Sequence, residues 1–183
     1  MKMSINYRFF GMALLLLLSA CETPVEVDYD TGRDFSRLRG YAWSVEGQPA
    51  KQDPVLYNAL TDKRVRQSAD RVLAARGFHR VDPANADFLV TYHLGVEKKL
   101  DTTNVGVGVG YGWSHSSVMM GDGLDIDQYE EESLLIDVLD SRTRELLWRG
   151  GIREPLDRYM TAQERTAHIH KQVVDILTKF PPR

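Results

Sequence analysis

The segment Val105-Gly106-Val107-Gly108-Val109-Gly110-Tyr111-Gly112-Trp113 sets a glycine at every second position, a pattern to be tested first against the loops that cradle phosphate. A dinucleotide fingerprint needs Gly-x-Gly-x-x-Gly between a strand and a helix, and a P-loop ends in Gly-Lys-Ser/Thr. Neither spacing is present, and Ser114-His115-Ser116-Ser117 opens no helix, so nucleotide binding is not expected. Period-two alternation instead describes a strand with Val105, Val107, Val109, Tyr111 and Trp113 on one side and only hydrogens on the other. Such a bare face weakens a strand and marks close approach by another backbone or a ligand. Two roles follow for residues 105–113: an ordinary strand or hairpin arm of the sheet, or a docking edge that a partner strand joins by β-augmentation.

The other chemistry-bearing groups do not converge. Asp122, Asp125, Asp127, Glu130, Glu131 and Glu132 crowd carboxylates into one segment, and hard divalent cations bind through several oxygens. The one-three-five spacing and terminal glutamate of an EF-hand loop are missing, so a solvated acidic loop is expected and no metal site is assigned. His168 and His170 lie two apart on an expected helix and point about 200° apart at ~100° per residue, whereas ligands sharing a helix face are three or four apart. His79, His93 and His115 have no companion at ligand spacing, so structural or surface roles are expected for the histidines. Ser116 and Ser117 stand beside His115 but outside any Gly-x-Ser-x-Gly elbow, and no spacing singles out a carboxylate pair. No catalytic residue and no cofactor is assigned; the expectation is a protein that is not an enzyme.

Cys21, the only cysteine, carries the most specific chemistry. Before it come Lys2 and Arg8, the apolar run Phe9 to Leu18, and the small residues Ser19 and Ala20. That order reads as a secretory signal over residues 1–20, and the apolar run is short for a transmembrane helix. Leu18-Ser19-Ala20-Cys21 resembles the lipobox of bacterial lipoproteins. The resemblance implies that the Cys21 thiol receives a diacylglycerol and becomes the N-terminus after cleavage, with palmitate a typical acyl group. Each buried CH₂ contributes about 0.8 kcal/mol, so two or three chains suffice for stable anchoring. Glu22 stands where an aspartate would signal retention at the inner membrane. The implied location is therefore the outer membrane, lipid-anchored on its periplasmic face, with the inner leaflet as the first partner.

Removing residues 1–20 takes away two basic and no acidic residues, leaving 21 basic against 26 acidic, a net charge of -5. That balance argues against a nucleic-acid binder and against a basic lipid-hugging surface. With Cys21 consumed by lipid, no disulfide is expected. Only Glu22, Thr23 and Pro24 separate Cys21 from the strand-like run at Val25, and three extended residues reach about 10 Å. The domain, residues 25–183, is thereby expected to sit close against the bilayer.

The elements expected to hold these groups follow from periodicity. Strands are expected over Val25–Tyr29, Gly40–Val45, Phe78–Val81, Phe88–Val96, Ser133–Leu139 and Glu145–Ile152, the last two joined by a turn at Asp140–Thr143. A helix is expected from about Val55, with Leu60, Val65, Ala69, Val72 and Leu73 on its apolar face and Gly77 as its left-handed stop. A second opens at the capping box Thr161-Ala162-Gln163-Glu164 and shows Ile169, Val173, Ile176, Leu177 and Phe180 as its stripe. Trp148 is expected to seal the sheet against a helix, with Gly150-Gly151 bending the end of its strand. The fold class is α+β: a two-layer sandwich whose mixed, mostly antiparallel sheet carries both helices on one face.

Six stretches, Tyr41-Ala42-Trp43, Leu73-Ala74-Ala75-Arg76-Gly77-Phe78, Ala86-Asp87-Phe88-Leu89-Val90, Asp137-Val138-Leu139-Asp140, Trp148-Arg149-Gly150 and Phe180-Pro181-Pro182, occur in an order that resembles a family of bacterial lipoproteins, the domain of unknown function 4136. The resemblance covers Val25 to Pro182 and implies an envelope lipoprotein without assigning an activity. The function expected is a non-catalytic binding or assembly module of the cell envelope with an envelope protein as partner. The alternative is a small-ligand carrier or hydrolase with a pocket between helices and sheet.

Overall fold

A computed structural model describes residues 24–44, 57–100 and 128–182. Cys21, the segment 105–113 for which an ordinary strand or a docking edge was expected, His115, Ser116 and Ser117, and Asp122, Asp125 and Asp127 lie outside the described residues.

Chain order gives β1 (Glu26–Tyr29), β2 (Gly40–Trp43), α1 (Ala59–Ala75), β3 (His79–Arg80), β4 (Phe88–Leu100), β5 (Gln128–Asp140), β6 (Leu146–Pro155) and α2 (Ala162–Leu177). The strands form one sheet in the order β1-β6-β5-β4-β2-β3. β2 is parallel to β3 and β4, because α1 carries the chain across between them; the remaining pairs are antiparallel. This is the mixed α+β sandwich expected from the sequence.

Local signals account for the helix ends. The Asn58 side chain accepts from the backbone N–H groups of Leu60 and Thr61, and Gly77 at φ +88° stops α1 where a side chain would be strained. Thr161 and Glu164 form the reciprocal capping box of α2. α1 presents the expected face with one exception: Val65, Ala69 and Leu73 are buried and Val72 packs against the core, but Leu60 does not. Leu60 is 62% exposed, and the buried positions are Thr61, Val65, Ser68, Ala69 and Leu73. The reason is geometric, since at ~100° per residue Leu60 lies at least about 120° around the helix from Val65, Ala69, Val72 and Leu73. Along the flank of α1, Asp70 accepts from the Tyr41 hydroxyl at 2.7 Å and the Trp43 indole N–H at 2.9 Å, and Asp62 accepts from the Tyr92 hydroxyl at 2.9 Å. These bonds fasten that flank of the helix to the sheet.

Alternate residues of the central strands meet the helices. Trp148, Tyr41, Phe88, Phe180, Leu73, Leu134, Ile136, Ile152, Ile176 and Leu177 are all less than 2% exposed. Phe180, one turn past the end of α2, centres an aromatic cluster with ring centroids 5.3–5.5 Å from Trp148, Phe78 and Phe88.

Trp148 does seal the sheet, but Gly150 and Gly151 do not end the strand, which runs on to Pro155. They admit side chains instead: a Cβ on Gly150 would overlap the Trp148 indole, and one on Gly151 would overlap Leu135. The acidic loop is also corrected at its second half. Glu130, Glu131 and Glu132 belong to β5, which pairs with β4 along the full ladder from Phe88↔Asp140 to Leu100↔Gln128. Lys99 offsets the like charges there, 3.0 Å from Glu97 and 3.8 Å from Glu131.

Candidate functional site

The β5–β6 register sets Glu132 directly opposite Glu154, on the helix-facing side, next to the Leu134↔Ile152 pair. Like charges facing each other across a ladder are destabilising unless something lies between them. α2 supplies it. His168 and Gln172, four apart and so on one helix face, reach over both carboxylates.

The geometry is tight. His168 Nε2 lies 2.6 Å from Glu132 Oε1 and 3.5 Å from Glu154 Oε2. The Gln172 amide donates to the same two oxygens at 3.1 and 3.0 Å. Gln172 is 3% exposed, while the side chains of Glu132, Glu154 and His168 are 13%, 15% and 21% exposed, at the rim between sheet and helix. The hydrogen bond to Glu132 holds the His168 imidazole above its ordinary pKa despite partial burial, and the charges of Glu132 and Glu154 act in the same direction. Each of the three offers one ligand atom, and these atoms all lie within 4.8 Å of one another. The arrangement can keep a proton between two carboxylates or hold a cation.

A second constellation occupies the opposite face of the sheet. Asp137, 4% exposed, faces Arg149 across the ladder and accepts its Nε at 2.7 Å and a terminal nitrogen at 2.6 Å, with His93 Nε2 at 3.2 Å. Burial alone would raise the Asp137 carboxyl; the hydrogen bonds from Arg149 and His93, with their charges, outweigh it and hold the pKa below the usual carboxylate value. Because the guanidinium takes both oxygens, this is a staple between strands rather than a proton relay.

The sequence-level candidates are thus scattered. Glu130 binds Arg158 at 2.6 Å, Glu131 lies near Lys99, and among the described residues of the acidic stretch only Glu132 enters a cluster. His168, for which a structural or surface role was expected, has Gln172 rather than His170 as its helix-face companion. One signal for the cluster is present in the sequence: two glutamates placed on either side of the β5–β6 turn. Its register depends, however, on an irregularity at Val138/Leu139, which leaves Leu147 without a partner between the pairs Val138↔Trp148 and Leu139↔Leu146.

Fold and site together define a two-layer α+β domain with a polar cluster clamped between helix and sheet and a core otherwise filled with aromatic and aliphatic side chains. The model of the Domain of unknown function (DUF4136) matches residues 25–182, and the chain belongs to that family. No curated protein matches the chain. Among solved structures, a PDZ domain protein from Parabacteroides distasonis is similar in fold, with a TM-score of 0.56 and 15% identity over 88% of this chain. The chain spans 36% of that protein's length. A DUF4136 family protein from Bacteroides thetaiotaomicron aligns at a TM-score of 0.48 and 12% identity, over 87% of this chain and 96% of that one. The PelC dodecamer from Paraburkholderia phytofirmans aligns at 0.47 and 11%, over 88% of this chain and 99% of that one.

Proposed function

We propose that this protein is a lipoprotein anchored through Cys21 to the outer membrane, facing the periplasm, and that it works as a non-catalytic binding or assembly module of the cell envelope. The observation that carries the reading is how soon the domain begins after the lipobox. The family match opens at Val25 and β1 at Glu26, so Glu22, Thr23 and Pro24 are the whole tether. About 10 Å of chain keeps the domain at the bilayer and restricts its partners to molecules at or near the membrane surface. Among the described residues no helix is long and apolar enough to cross a membrane.

The filled helix–sheet interface favours this reading over a carrier or hydrolase with a pocket between the layers. A carrier or hydrolase working between the layers needs a cavity where Trp148, Leu73, Ile136 and Ile176 now pack. Two hollows of about 520 and 570 Å³ lie elsewhere, at opposite ends of the domain: one beside Lys98, Tyr129 and Tyr159, the other beside Phe35, Arg39 and Arg76.

Metabolic labelling with palmitate and membrane fractionation test the anchor. Label and membrane association are expected in the native chain and absent from Cys21→Ser. A Cys21→Ser protein that still fractionates with the outer membrane would overturn the reading.

A further inference from the structure

We infer that Glu132, Glu154 and His168 form a binding site for a divalent first-row transition ion, with zinc the best chemical match. One imidazole nitrogen and two carboxylate oxygens form a mixed N/O donor set that suits zinc. With His168 neutral the three ligands carry two negative charges, which a dication balances. This also resolves the facing glutamates at Glu132↔Glu154, which the ladder forces together.

The distances admit the ion after small side-chain adjustments. Zinc takes nitrogen and oxygen ligands at about 2.0–2.2 Å in a tetrahedron, so two ligand atoms sharing an ion stand about 3.4 Å apart. All three atoms already lie within 4.8 Å of one another, and the two imidazole–carboxylate separations are 2.6 and 3.5 Å. An ion displaces the hydrogen between His168 Nε2 and Glu132 Oε1, and that pair, 2.6 Å apart, opens by about 0.8 Å to reach the tetrahedral separation.

The surroundings have the build of a metal site. Metal-ligating carboxylates are themselves held by outer hydrogen bonds, and Gln172, almost fully buried, donates to both carboxylates at once. The ligands come from two strands and a helix rather than from loops. Three protein ligands at the rim leave a coordination position toward solvent for water or for an anionic group of a partner. An ion there would also tie α2 to β5 and β6.

The full-length protein, kept in mild detergent and stripped with chelator, is titrated with Zn²⁺ alone by calorimetry and with Co²⁺ followed by visible absorption. One ion per chain is expected, with a melting temperature that rises on Zn²⁺ addition. Glu132→Gln and His168→Ala are expected to abolish stoichiometric binding, and Gln172→Ala to weaken it about 10–100-fold. Metal-free melts show which variants remain folded. A second measurement needs no variant: in the native chain, the ¹⁵N resonance of His168 Nε2 moves to a metal-bound position at saturating Zn²⁺. An absence of stoichiometric binding, binding unchanged in folded Glu132→Gln and His168→Ala, or a His168 resonance that stays hydrogen-bonded at saturation would each overturn the inference and leave a proton as the link between the two glutamates.

Discussion

The indole of Trp148 folds over Gly150, two residues further along the same face of β6, so that any side chain at position 150 would occupy the space of the ring. A Cβ there would also come within 2.8 Å of Ile176 Cγ2 on α2. Gly150→Ala therefore overpacks the helix–sheet interface at a fully buried aromatic. The expected loss is about 1–3 kcal/mol, read from urea unfolding, with little change in secondary structure. A variant as stable as the native chain would show that the indole is not held in this position.

Asp137 and Arg149 give a signed dependence on pH. The Asp137 carboxyl titrates below its ordinary value of 3.8 in the folded protein, so it binds a proton less readily there than in the unfolded chain. Its contribution is fully present above about pH 4, near the unfolded value, and is lost as pH falls through the lower folded value. Arg149→Met removes the principal partner. Stability at neutral pH is expected to fall by about 1–2 kcal/mol, toward the low end because Arg149 is 43% exposed, and the drop in stability between pH 7 and pH 3 is expected to shrink. Parallel unfolding series at several pH values read both effects. An unchanged acid slope would remove Asp137 from the account.

Asp70 separates charge from hydrogen bonding. It accepts from the buried Tyr41 hydroxyl and from the Trp43 indole, while Arg66 lies over the Trp43 ring with its guanidinium carbon 4.5 Å from the centroid. Burial, together with the bond to Asp70, pushes the Tyr41 hydroxyl well above its ordinary pKa. Asp70→Ala leaves two donors without that acceptor and is expected to cost about 1–3 kcal/mol, whereas Asp70→Asn keeps an acceptor oxygen and is expected to cost less. Equal losses in the two variants would mean that the charge matters more than the bonds.

The docking reading of Val105–Trp113 is open to test in living cells. A photo-crosslinking residue at Gly108 or Tyr111 is expected to trap one envelope protein, identified by mass spectrometry. No crosslink from a stable, correctly localised chain would return the segment to an ordinary strand or arm.

Much of the architecture was legible because it is written in short-range signals. The Thr161–Glu164 box, the stop at Gly77, and the stripe Ile169, Val173, Ile176 and Leu177 each depend on residues within a turn or two of one another. Leu60 was misread because it lies about 140° around the helix from Val65 at ~100° per residue, off the face that Val65, Ala69, Val72 and Leu73 share. The acidic stretch was misread at Glu130–Glu132 because pairing with β4, rather than local composition, makes those residues a strand.

By itself the sequence determined the mixed two-layer fold, the end of α1 at Gly77 and the start of α2 at Thr161, which follow from backbone preference and side-chain period. α1 begins, however, at Ala59 rather than near Val55, and Phe180 lies past the end of α2. Tertiary structure alone decided that Glu132, Glu154, His168 and Gln172 would meet. Continuing the Leu139↔Leu146 pair as a regular hairpin would set Glu132 opposite Arg153; the irregularity at Val138/Leu139 moves the register by one residue and brings Glu154 there instead. Because side chains alternate faces along a strand, such a one-residue difference decides which groups face each other and which lie under α2, and no local pattern encodes it.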